Sequence, residues 1–123
     1  MDRKATSVLL VDGDERQALA LAGRLRAMDH IEVVGVASTP EQGLALGRLT
    51  RPALVLVGLD RLGDVAAVRS FRHGAAPPRV LAFSARAEAW AAAEAAGVDA
   101  LLMDVADPDR LAFALRGFAG RPS

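Results

Sequence analysis

Five short apolar runs punctuate the chain: SVLLV (7–11), EVVGVA (32–37), ALVLV (53–57), RVLAFS (79–84) and ALLM (100–103). Most are continuous rather than alternating, and they are rich in branched aliphatic residues. A strand with one wet face alternates apolar with polar; a continuous run is what a strand covered on both faces requires. The segments between the runs are each long enough for a helix. Strand alternating with helix in this way predicts an α/β domain, with a parallel sheet and right-handed crossovers. The function of such a sheet sits at the carboxyl ends of its strands. The residues to inspect are therefore Asp12-Gly13-Asp14, Gly58-Leu59-Asp60, Ser84-Ala85 and Asp104-Val105.

The intervening segments carry helix signals. Asp14 is placed to cap a first helix, with Gln17 three positions on. Ala18, Leu21, Ala22, Leu25 and Met28 then recur at helical spacing and face the sheet. Thr39-Pro40 opens a second helix, with proline at its first position. A third is expected over about 63–72. A fourth, alanine-rich, covers about 86–96 and stops at Gly97. Asp107-Pro108 opens a fifth, carrying Leu111, Phe113, Ala114, Leu115 and Phe118. No internal repeat is present. One domain is expected over 1–120, with 121–123 as a linker or tail.

Composition narrows the function classes. A chain of 123 residues that is 52% hydrophobic and 24% charged is long enough for one real core. It has no cysteine, hence no disulfide and no thiolate metal site; a reducing, cytoplasmic setting is expected. No apolar run approaches the roughly 20 residues of a membrane span, so no membrane contact is expected. Formal net charge is zero and the arginines are scattered, so no basic face for nucleic acid is formed. Lys4 is the single lysine among the 15 basic residues.

The stretches VLLVDGDE, IEVVGVASTPEQGLALGRLTRPALVLVGL, PPRVLAFSA and AGVDALLMD resemble the receiver domain of two-component response regulators, from Ser7 to about Gly120. In style they are most similar to receivers that precede a LuxR-type helix-turn-helix. The resemblance implies a flavodoxin-like, three-layer (βα)5 fold with a five-stranded parallel sheet in the order 2-1-3-4-5; a chemotaxis receiver is a standard example of that order. It also implies a phosphorylation edge. Two acids after the first strand hold magnesium, and an aspartate ending the third strand accepts a phosphoryl group. A Thr or Ser ending the fourth strand hydrogen-bonds that group, and a lysine ending the fifth, usually before proline, neutralises it.

Carried onto this chain, the pattern is degenerate. Asp12 keeps the first acid, but the second falls on Gly13. The phospho-acceptor falls on Gly58, counted from Pro52. Ser84 keeps the hydroxyl. The lysine falls on Asp104 and the proline on Val105. Lys4 precedes the first strand, at the opposite edge of the sheet, and cannot stand in. The resemblance is thus to a pseudo-receiver, with no catalytic residue, no metal and no cofactor expected.

Each remaining residue has two readings. Asp12 is a leftover ligand or a polar strand end; Asp14 is a ligand or, more simply, a helix cap. Asp60 is a displaced phospho-acceptor or an ordinary loop residue. Asp104 pairs with Arg61 or Arg86, or is solvated. Trp90 is a partly exposed interface anchor or tucks against the sheet. Leu101 takes the place of a switching aromatic. His30 and His73 read as surface loop residues.

The reading favoured is a phosphorylation-independent regulatory and protein-interaction module, the N-terminal part of a transcriptional response regulator. It would pair as a homodimer through the fourth helix, fifth strand and fifth helix, with Trp90, Leu101 and Arg110 at the interface. Two alternatives are a small-molecule sensor, using room left by Gly13 and Gly58, and the targeting domain of a larger localisation ATPase. A flavin carrier of similar fold is disfavoured, because no phosphate-cradling loop follows the first strand.

Overall fold

A computed structural model describes residues 5–62, 66–72, 77–103 and 105–119. Its elements run β1 (Thr6–Val11), α1 (Glu15–Arg26), β2 (Ile31–Ala37), α2 (Pro40–Thr50), β3 (Leu54–Gly58), α3 (Leu59–Leu62), α4 (Ala66–Phe71), β4 (Arg79–Phe83), α5 (Ala89–Ala96), β5 (Ala100–Leu102) and α6 (Pro108–Ala119). The sheet is five-stranded, in the order β2-β1-β3-β4-β5, and each paired neighbour is parallel. This is the doubly wound arrangement implied above, with the β1/β3 switch point at its centre.

Alternation along the strands builds two cores. Val8 and Leu10 of β1, Leu54 and Leu56 of β3, and Leu81 and Phe83 of β4 pack with Leu21 and Leu25 of α1 and Leu111 and Leu115 of α6. Leu9, Val11, Val55, Val57, Val80 and Ala82 face the other way, against Val68 and Phe71 of α4 and Ala93 and Ala96 of α5. The strands are covered on both faces, which is why their sequences do not alternate. In β2 one extra residue, Val34, shifts the register between Val8 and Leu9.

Local chemistry sets the helix ends. The Asp14 carboxylate accepts from Gln17 N and caps α1, and Thr39 Oγ1 accepts from Gln42 N above Pro40. α5 ends at Gly97 with φ 92°, a left-handed value that glycine adopts at little cost. Asp107 Oδ1 accepts from Asp109 N and Arg110 N at the start of α6. Asp99 ties β4 to the turn before β5, accepting from Val80 N at 2.8 Å and pairing with Arg72 at 3.1 Å.

The boundaries differ from expectation in several places. The third expected helix is present as α4, Ala66–Phe71, while residues 63–65 of the expected span lie outside the described residues; a further short helix, α3, begins directly after β3. Asp60 therefore lies in a helical turn that begins directly after β3, not in a loop. α5 starts at Ala89 rather than Arg86. Ser84 and Met103 lie just past their strands. His30 is half-buried, with Nε2 enclosed and without a hydrogen-bond partner, so it is not a plain surface residue. Lys4, His73 and Asp104 fall outside the described residues.

Candidate functional site

β1, β3 and β4 end side by side, and their last residues make the edge. Asp12 follows β1 with 2% of its surface exposed, and Ser84 follows β4 with 3%. Asp12 N donates to Ala37 O at 2.9 Å, tying the β1 end to β2. Asp12 Oδ1 accepts from Asp14 N at 3.0 Å, so this carboxylate shapes the turn that leads into the Asp14 cap.

Gly58 ends β3 and pairs in register with Phe83 of β4. A Cβ added at Gly58 would come within 2.7 Å of Phe83 Cζ and 2.9 Å of Asp12 Cγ and Oδ1. Real Cβ atoms essentially never sit so close. The space that a side chain at Gly58 would need is filled by the Phe83 ring and the Asp12 carboxylate. The expectation of extra room at this glycine is therefore corrected: the room is taken by a neighbour that the sequence reading did not consider.

Asp60 supplies the feature that the sequence reading undervalued. Two residues past Gly58, its carboxylate crosses to the end of β4. Ser84 Oγ donates to Asp60 Oδ1 at 2.5 Å, and Ala85 N donates to Oδ2 at 2.9 Å. Ser84 Oγ in turn accepts from Arg86 N at 2.9 Å. A hydroxyl-to-carboxylate distance of 2.5 Å is that of a charge-assisted hydrogen bond. Ser84 thus has a carboxylate partner in Asp60. A Gly-x-Asp at a strand end, opposite Phe-Ser on the next strand, was the available signal. It becomes readable only once Gly58 and Phe83 are known to be neighbours.

The other candidates do not converge on this edge. Arg86 Nε pairs with Glu88 at 3.3 Å on the surface; the pairing of Asp104 with Arg61 or Arg86 lies outside the described residues and side chains. Trp90 is 52% exposed, Leu101 is half-buried, and Arg110 pairs with Asp107 at 3.7 Å. Gly13 brings no side-chain donor.

Magnesium, which the receiver resemblance implies, does not fit these donors. Gly13 and Gly58 offer no side-chain oxygen, and both Asp60 oxygens are engaged by Ser84 and Ala85. Among the described residues no group of three His, Cys, Asp or Glu side chains is arranged to hold a metal ion. Magnesium wants several hard oxygens in near-octahedral order. Among the described residues, no helix is long and apolar enough to cross a membrane.

Comparison with known proteins agrees with the architecture. No family model matches the chain. The transcriptional regulatory protein MctR of Rhizobium johnstonii is 33% identical over 85 residues, 68% of this chain and 40% of that protein. Protein-glutamate methylesterase/protein-glutamine glutaminase 3 of Myxococcus xanthus is 40% identical over 86 residues, 66% of this chain and 23% of that protein. The chain therefore spans well under half the length of either relative. Among solved structures, the response regulator domain of Thermotoga maritima CheB superposes with TM-score 0.81 at 16% identity, over 98% of this chain and all of that one. A putative response regulator from Chloroflexus aurantiacus gives 0.84 at 20% identity, over 96% of this chain and 100% of that one. The receiver domain of NarL from Mycobacterium tuberculosis gives 0.79 at 21% identity, over 97% and 100%. By strand order, by coverage and by these likenesses, the chain is built as a response regulator receiver domain.

Proposed function

We propose that this chain is a pseudo-receiver: a regulatory, protein-interaction module of the signal-transduction type that works without phosphorylation and is not itself an enzyme. The observation that carries this reading is Gly58. The strand position where the receiver resemblance puts the phospho-acceptor has no carboxylate, and the Phe83 ring occupies the space a side chain would need. The naming of one relative as a transcriptional regulator favours an output in transcription, made by a part of the protein other than this domain. The other relative is named as a methylesterase, so the output is a proposal and the receiver architecture is not.

The proposed interaction face is α5–β5–α6. Trp90 on α5, Met103 after β5 and Phe113 on α6 are 52%, 46% and 80% exposed. Leu101, Leu102, Met103 and Leu111 line a shallow groove of about 200 Å³ beside Arg110. Large apolar side chains at this exposure, rimmed by Arg110 and Asp107, fit a homodimer contact. Analytical ultracentrifugation tests it. A dimer is expected that Phe113→Glu with Trp90→Ala dissociates, with the same mass whether or not a phosphodonor and magnesium are added. A monomer at all concentrations, or a dimer formed only with phosphodonor, would overturn the reading.

A second reading, a small-molecule sensor, is favoured by one observation. A groove of about 360 Å³ lies between the starts of α1 and α2, lined by Glu15, Leu19, Val36, Ser38 and Gln42 with Asp12 at its side. Under that reading the ligand sits there, between β1 and β2, rather than over Gly58.

A further inference from the structure

We propose that Ser84 Oγ and Ala85 N form an anion site whose permanent occupant is this chain's own Asp60 carboxylate, clamping the β4–α5 connection in one arrangement. The proposal deepens, and rests on, the phosphorylation-independent reading, because it says what replaces an added phosphoryl group. The donors are a buried hydroxyl and a backbone N–H, one at each Asp60 oxygen, at 2.5 and 2.9 Å. The hydroxyl has one proton, and its short distance to Asp60 assigns that proton there. Arg86 N–H, donating to the same Oγ at 2.9 Å, fixes the oxygen from behind and polarises the O–H toward the carboxylate.

The geometry makes this a site rather than a chance contact. Ser84 is the hydroxyl that the receiver resemblance assigns to a phosphoryl oxygen, and it is 3% exposed. A carboxylate presents two anionic oxygens in a plane, a good match for two convergent donors. Asp60 reaches them because α3 begins directly after β3, which brings a side chain two residues past Gly58 over to the next strand. With Phe83 and Asp12 closing the position at Gly58, the edge supplies its own anion and leaves none to be added.

The clamp spans 24 and 25 residues of sequence, so its loss should be felt at the β4–α5 connection and not in the sheet. The test is amide NMR on the 15N-labelled chain, read at Ala85 and compared with core amides such as those of β1. In Asp60→Ala, hydrogen exchange at Ala85 should speed about ten- to a hundredfold, as expected for a lost charge-assisted bond, while β1 amides hold. Inorganic phosphate should then shift Ala85 saturably and slow its exchange in Asp60→Ala, but leave the parent unchanged. Ser84→Ala should abolish that phosphate response in the Asp60→Ala background. The proposal is overturned if Ala85 exchanges equally in parent and variant, if phosphate shifts Ala85 as strongly in the parent, or if the variant takes up no phosphate. The phosphorylation-independent reading stands or falls separately, on whether the parent gains a phosphoryl adduct.

Discussion

Gly58 and Phe83 act as one unit, because the missing side chain of the first holds the ring of the second. Gly58→Ala should therefore lower stability by about 1–3 kcal/mol, the usual range for overpacking a tight site. Gly58→Asp should cost more, since its carboxylate would also meet that of Asp12, against which a Cβ alone already comes to 2.9 Å. Phe83→Leu shortens the ring that blocks Cβ, so Gly58→Ala should be cheaper in that background, with a coupling of about 0.5–3 kcal/mol. Urea melts of the two singles and the double measure it; strict additivity would mean that the ring and the glycine do not share the space. The same geometry says why replacing Gly58, Gly13 and Asp104 alone should not rebuild an acceptor: Phe83 has to change as well. The absence of side-chain oxygens at Gly13 and Gly58 was legible in the sequence. Phe83 and the Asp60 clamp were not, because both depend on which residues of β3 and β4 are neighbours, and no periodicity encodes that register.

α2 lies closer to the sheet and to α4 than ordinary side chains would allow, and glycines make the difference. A Cβ at Gly43 would stand 2.9 Å from Val11 Cγ2 and 3.3 Å from Phe71 Cζ; one at Gly47 would stand 3.2 Å from Phe71 Cε1. Val11 is a stiff, fully buried strand residue, so it cannot yield cheaply. At Gly23 of α1 an added Cβ meets nothing within 4 Å. Two Gly→Ala changes inside helices should therefore move stability in opposite directions. Gly23→Ala should gain about 0.5–1 kcal/mol from helix propensity, and Gly43→Ala should lose about 1–3 kcal/mol by overpacking. Thermal melts of both would show it; a Gly43→Ala protein as stable as the parent would mean that α2 is free to lift. The helices with caps and amphipathic faces, α1 and α2, were readable from the chain. The short α3 after β3 was not. α3 has only four residues, too few to show a periodic face.

At the scale of the whole molecule, a receiver-type sheet packs on both faces, and its edge between β3 and β4 is filled by this chain's own side chains. The two cores on the faces of the sheet are made by aliphatic alternation that owes nothing to the edge. That is why the two cores need no carboxylate at position 58 and why the architecture was legible from five apolar runs. The proposed function was less legible, because it turns on side chains that Gly13 and Gly58 lack and on which residues lie beside Gly58. Metal provides one whole-molecule check. With Gly13 and Gly58 lacking oxygens and Asp60 engaged, magnesium should raise the melting temperature no more than an equal ionic strength of sodium chloride does, since only a ligand that binds the folded state stabilises it specifically. A saturable rise with magnesium alone would mean that the acidic groups of this edge converge after all. The most direct measurement of the central claim is intact mass after incubating the chain with a small phosphodonor and magnesium, beside a phosphorylatable receiver as control. The account predicts a phosphoryl adduct on the control and none on this chain. A stoichiometric, base-labile adduct at Asp60 or Asp12 would contradict it.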